Sequence, residues 1–132
     1  MLRGVIEHFS DPIGCLKKCA ESLKKGGYLF ITATPAGNSF SFYIYREKWR
    51  LFTPLEHIHY FSVDHLTKIL EPIGFTLTAR HYPYEETPYA NPERDFIKME
   101  KDIFYKFSGK WDQVESSSAF PGSMITAIWR KN

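Results

Sequence analysis

The sequence predicts an α/β fold, and three observations carry the prediction. Apolar residues recur at helical spacing from Ile13 to Leu23 and stop at Gly26-Gly27. The glycines lead straight into Tyr28–Thr34 (YLFITAT), a run of aromatic and β-branched residues with the composition of a buried strand. The same order of capped helix, glycine and strand returns between Ser62 and Tyr82.

The first helix starts where Ser10 or Asp11 can cap it, with Pro12 at its first position. Ile13, Leu16, Cys19, Ala20 and Leu23 form its inner stripe over about four turns. Residues 36–60 are aromatic without a period, holding Phe40, Phe42, Tyr43, Tyr45, Trp49 and Phe52, and read as a loop with a helical turn or two. Ser62 caps the next helix, Leu66, Ile69, Leu70 and Ile73 face inward, and Gly74 stops it after Pro72 has distorted the last turn. Phe75–Tyr82 reads as the second strand. Asn91 can cap an amphipathic helix over residues 93–107, inserted before the last strand. Its Phe96, Met99, Ile103, Phe104 and Phe107 share one face, for which packing on the core is expected over a substrate cover, a dimer contact or a membrane-surface element. Residues 108–121 read as loop, and Ser123–Arg130 as the last strand.

The chain has 132 residues, enough for one domain, and residues 1–132 are read as such. Its formal charge of +2 is spread along the sequence without a basic block, which argues against a nucleic-acid partner. No apolar run approaches the roughly 20 residues of a membrane span. Met1 is followed by Leu-Arg-Gly rather than a secretion signal. No membrane association and a cytoplasmic location are therefore expected. Cys15 and Cys19 are the only cysteines; they cannot build a disulfide framework or a closed thiolate zinc site and are expected to be reduced packing residues.

Val5-Ile6-Glu7-His8-Phe9-Ser10-Asp11-Pro12, the Lys24-Lys25-Gly26-Gly27 corner, the strand ending Thr34-Pro35, and Glu56-His57-Ile58-His59-Tyr60-Phe61-Ser62 before Gly74-Phe75 stand in a specific order. Together they closely resemble the type 11/23 group of class I S-adenosylmethionine-dependent methyltransferases, which includes ubiquinone-biosynthesis O-methyltransferases and sugar methyltransferases. Phe120-Pro121-Gly122-Ser123-Met124 and the strand after it also look like that family's last strand.

The resemblance implies the C-terminal part of a Rossmann-like fold: a three-stranded mixed sheet, family order 5-7-6, with the last strand antiparallel between the other two. It also implies that Glu-His-x-x-x-Pro follows family strand four and that Glu-His-x-x-x-Phe-Ser borders the substrate pocket. Members of the family hold the cofactor on a Gly-rich turn after strand one and an acidic residue ending strand two. No G-x-G-x-G occurs here, and only three residues precede Gly4, so most of the cofactor half is expected to lie outside this chain, the cut falling within or just after strand four. S-adenosylmethionine is thus the expected cofactor of the intact enzyme, not of this chain alone. The apolar edge of Tyr28–Thr34 is then expected to be open, which predicts a homo-oligomer or a partner supplying the missing half.

Methyl transfer to a hydroxyl needs in-line placement and a base. The histidines His8, His57 and His59 are the candidate bases, and Glu7 and His8 the candidate contacts to the cofactor. Trp49, Arg50 and Tyr60 are candidate contacts to a small-molecule acceptor. Each has a structural alternative: Glu7 capping a turn, His8, His57 and His59 bonding backbone, and the aromatics forming a lid packed on the core. Thr32 and Thr34 lie where α/β sheets bind ligands, at the carboxyl end of a strand. Some relatives place a divalent metal on Glu-x-x-Glu-His and a later His; the matching positions are Gly4, Glu7, His8 and His57. Gly4 removes the first carboxylate, so no metal site is assigned. The functional expectation is a methyltransferase fragment acting on a small-molecule acceptor and inactive alone. The alternative is a non-catalytic binding or oligomerisation module of the same fold.

Overall fold

A computed structural model of the chain describes residues 1–118 and 122–132. The expected Phe120 and Pro121 of the last motif lie outside the described residues.

The helix-strand order follows the sequence closely. The Asp11 carboxylate accepts from Gly14 N and opens α1 (Pro12–Ser22), shorter by about a turn than its apolar repeat suggests. Pro12, Leu16 and Ala20 are its buried residues, whereas Ile13 is 46% exposed. The glycine corner leads into β2 (Tyr28–Pro35). Ser62 caps α3 (Val63–Leu70) through His65 N. A 3-10 turn, Glu71–Ile73, takes up Pro72 and ends at Gly74 in the left-handed region, and β3 (Phe75–His81) and β4 (Met124–Lys131) complete the main strands.

The sheet has four strands, not the expected three, in the order β1-β2-β4-β3. The additional strand, β1 (Leu2–Arg3), runs parallel to β2 with Leu2 opposite Ile31 and Arg3 opposite Thr32. Gly4 N extends that ladder to Thr32 O at 2.9 Å. Two residues of pairing are too few to leave a periodic signal, which is why the sequence hides this strand. They cover only part of the β2 edge that was expected to be open. β4 lies antiparallel between β2 and β3, as the family order 5-7-6 requires. The main core sits between this sheet, α1 and α3, and includes Ile6, Leu16, Ile31, Leu66, Leu70, Ile125 and Trp129.

The segment 36–60 is more ordered than expected. It forms α2 (Phe40–Tyr45), capped by Ser39, and a 3-10 turn at Arg46–Lys48. Tyr45, Trp49 and Val114 centre a second, aromatic core with Phe42, Phe52, Tyr60, Tyr105 and Trp111 around them. Aromatic side chains packed in several directions about one another give no single period, so this core is invisible to a pattern search.

The largest departure from expectation is α4 (Pro92–Phe107), started by Asn91. Much of the stripe expected to pack on the core faces solvent: Phe96 is 46%, Phe104 63% and Phe107 80% exposed, Met99 and Ile103 are half-buried, and the acids Asp95 and Asp102 are buried. Hydroxyl groups explain the reversal. Tyr84 donates to Asp95 at 2.8 Å and Tyr45 to Asp102 at 2.8 Å, and Lys98 adds a second partner for Asp102 at 2.6 Å. Burying two carboxylates is tolerated only with such partners.

These bonds predict an alkaline limit to stability. Burial, reinforced by the hydrogen bond to Asp95, pushes the Tyr84 phenol up to about 12, and burial with Asp102 moves Tyr45 in the same direction. A raised folded-state pKa means that the contribution is complete below about pH 10, the ordinary tyrosine value, and is lost as pH climbs through the folded value. Urea unfolding from pH 8 to 12 is expected to show stability falling between about pH 10 and 12, and Tyr45→Phe with Tyr84→Phe is expected to flatten that fall.

Candidate active site

The candidate site is assembled from the 3-10 turn Ile6–His8, the carboxyl end of β2 and the loop 51–59. Ile6 fixes the turn by burying its side chain completely. The turn then places Glu7 inside the protein, 1% exposed, and His8 at its mouth. A bulge between Thr32 and Thr34 sets Ala33 at φ 57° and turns Thr34 inward. Thr34, fully buried, donates to a Glu7 carboxylate oxygen at 3.1 Å. Bulges re-aim side chains in this way beside functional sites. Gly4, at φ 56°, adopts a conformation that disfavours a side chain at the position where a further carboxylate falls in some relatives.

The Glu7 backbone carbonyl accepts from Ile58 N at 3.0 Å and His59 N at 3.1 Å, tying the turn to the loop that carries His57. His8 Nδ1 meets Glu56 O at 2.6 Å, and His57 Nδ1 meets Leu51 O and Thr53 Oγ1, both at 3.0 Å. A carbonyl oxygen can only accept, so each Nδ1 carries a proton, and in the neutral imidazole Nε2 is then the nitrogen with the lone pair. The two imidazoles lie with centroids 4.9 Å apart, and His8 Nε2 is 3.8 Å from the Glu7 carboxylate. One donor atom from each of Glu7, His8 and His57 lies within 4.8 Å of the others. A carboxylate with two imidazoles is a set that can take a proton or hold a divalent transition metal.

Of the other sequence candidates, Tyr60 meets His57 edge-on, with ring centroids 6.2 Å apart. His59 stacks on Phe61 at 5.6 Å, and its Nε2 is buried without a hydrogen-bond partner among the described residues. Trp49, 1% exposed, packs edge-on against Phe42 at 5.5 Å in the aromatic core. Tyr60 stacks on Phe52, and its hydroxyl oxygen accepts from Thr53 N at 3.0 Å, which steadies the loop holding His57. Burial raises the Tyr60 phenol above its ordinary value. Arg50 places its guanidinium 5.7 Å over Tyr89. Cys15 and Cys19 are free and half-buried.

Sequence reading raised Thr34 only as a residue at a strand end and missed its bond to Glu7, because the bulge that turns it inward is a tertiary feature. It also missed Asp95 and Asp102 as anchors. Their spacing of two helical turns was the available signal.

In the resembled family a glycine-rich turn after the first strand holds the cofactor. Among the described residues no glycine-rich turn follows β1, and Gly37 serves chain packing: a Cβ there would lie 2.5 Å from Tyr60 O. No helix among the described residues is long and apolar enough to cross a membrane.

Comparison with known proteins places this arrangement. A protein of Bacillus halodurans C-125 proposed to be a methyltransferase matches with a TM-score of 0.59 and 23% identity, over 98% of this chain and 62% of its own. A SAM-dependent methyltransferase of Thermotoga maritima matches with a TM-score of 0.56 and 17% identity, over 98% and 54%. One from Archaeoglobus fulgidus gives 0.56 and 17%, over 99% and 57%. The chain thus spans little more than half the length of these structures and shares their fold. No curated protein sequence matches it with significance. The family model of the methyltransferase domain matches residues 1–80, which hold Glu7, His8, Thr34 and His57, and the chain therefore belongs to the methyltransferase domain family.

Proposed function

We propose that this chain forms the acceptor side of a cytoplasmic S-adenosylmethionine-dependent methyltransferase that acts on a hydroxyl of a small molecule. The observation that carries the reading is the convergence of Glu7, His8 and His57 with both imidazoles held through Nδ1 on backbone carbonyls. A neutral imidazole fixed in that tautomer presents Nε2 as a general base. His57 takes the acceptor proton, and Glu7, steadied by Thr34, stabilises the imidazolium that results. His59, Trp49, Arg50 and Tyr60 shape the wall behind the loop.

The cofactor half belongs, in this reading, to chain outside these residues, and covers the β1–β2 edge. Met1, Phe9, Ile13 and Tyr28 leave apolar surface there, beside a groove of about 640 Å³. The test joins this chain, in frame, to a cofactor-binding half from a structural relative and follows transfer of a labelled methyl group to small hydroxyl acceptors. Labelled product from the joined protein and none from the chain alone supports the reading. No product from a joined protein that binds the cofactor removes it.

The donor set favours one second reading, in which Glu7, His8 and His57 hold a divalent cation that orients the acceptor oxygen. Titration with manganese then shows saturable binding that His57→Ala abolishes. An absence of binding to the unaltered chain rules out the cation.

A further inference from the structure

We propose that the outward face of α4 is a contact for a second copy of this chain, the two helices running parallel about a two-fold axis. The helix is anchored by its polar residues, and three of its apolar ones stay open to solvent: Ile97 is 68%, Phe104 63% and Phe107 80% exposed. Side chains of this size at these exposures present about 400–500 Å² per copy. A pair of such faces buries about 800–1,000 Å², the size of a weak or transient interface.

The chemistry of the face selects its occupant. Along one side the face borders an open groove of about 730 Å³, lined by Glu93, Arg94, Ile97 and Lys101 with Gln113 and Glu115. Glu93 and Glu100 stand within the same face and repel anionic lipid and nucleic acid. Among the described residues neither Glu93 nor Glu100 forms an ion pair. Each is followed by a base, Arg94 and Lys101, with which it forms no ion pair among the described residues.

At about 100° per residue, Ile97 and Phe104 mark the middle of the stripe, with the two acids on one flank and the two bases on the other. A two-fold parallel to the helices sets the acid flank of one copy against the base flank of the next. Glu93 then meets Arg94 of the second copy and Glu100 meets its Lys101, each twice by symmetry. Ile97 and Phe104 pack on their own counterparts between these rows. An antiparallel pair would oppose like charges. In the single chain, Arg94 and Lys101 rest on their own helix, at 3.9 Å from Asp95 and 5.4 Å over Tyr105.

The test is sedimentation equilibrium of the full chain and four variants, with circular dichroism to confirm folding. The unaltered chain is expected to dimerise. Phe104→Ser and Glu100→Lys should each weaken the dimer by more than about 30-fold while leaving the fold intact. Lys101→Glu should do the same. Glu100→Lys combined with Lys101→Glu should restore it, because the pair is re-formed with the charges exchanged. A monomer at all concentrations overturns the proposal. So does a dimer indifferent to all four variants, which would place the contact elsewhere, such as the sheet edge. Failure of the combined variant to restore the dimer overturns the parallel arrangement.

Discussion

Trp129→Ala is expected to cost about 4 kcal/mol, a large fraction of the 5–15 kcal/mol that holds a domain together. Trp129 is fully buried on β4, which lies between β2 and β3. Its indole donates to Thr67 Oγ1 at 3.1 Å, joining the sheet to α3. Truncation removes the largest apolar contact between those layers and leaves a cavity that strand geometry prevents from closing. Trp129→Phe retains most of the ring volume and loses the hydrogen bond, so it should cost roughly 1–2 kcal/mol. Urea unfolding of both variants checks the order. Equal costs would show that the hydrogen bond outweighs the packing.

The second large effect concerns chemistry. In the joined, methyl-transferring protein, His57→Ala is expected to lower kcat by about 10²–10⁴-fold, the usual contribution of a positioned general base. His8→Ala is expected to have a smaller effect, because His8 lies at the mouth of the cluster and His57 remains in place. If the two imidazoles act as a unit, the double variant should be little slower than His57→Ala. A rise in KM with kcat unchanged would assign His57 to acceptor binding instead of proton transfer.

The histidine cluster was legible before any coordinates, but for different reasons at different residues. His8 and His57 were found through the order of motifs along the chain. Nothing local to either segment says that they meet; the two amides that Ile58 and His59 donate to the Glu7 carbonyl bring the segments together. Thr34 could not have been placed from sequence, since a strand that ran straight through Ala33 would have turned it to the opposite face. α1 and α3 were readable because Asp11 and Ser62 sit directly before apolar periodic runs. α4 shows the limit of that method. Periodicity identified an apolar stripe and a polar stripe, but which one faced inward depended on the hydroxyls of Tyr45 and Tyr84, far away in sequence. The aromatic core around Trp49 was concealed for a related reason, being formed by α2, the 46–60 segment and residues 105–114 together.

The central claim is that this chain supplies the acceptor side of a methyltransferase and leaves the cofactor to residues outside it. Calorimetric titration of the folded 132-residue chain with S-adenosylhomocysteine tests that claim most directly. The expected result is no saturable heat, with binding appearing only when the cofactor-binding half is joined. Saturable binding to the chain alone, lost on Glu7→Ala, would contradict it and place the cofactor site within these residues.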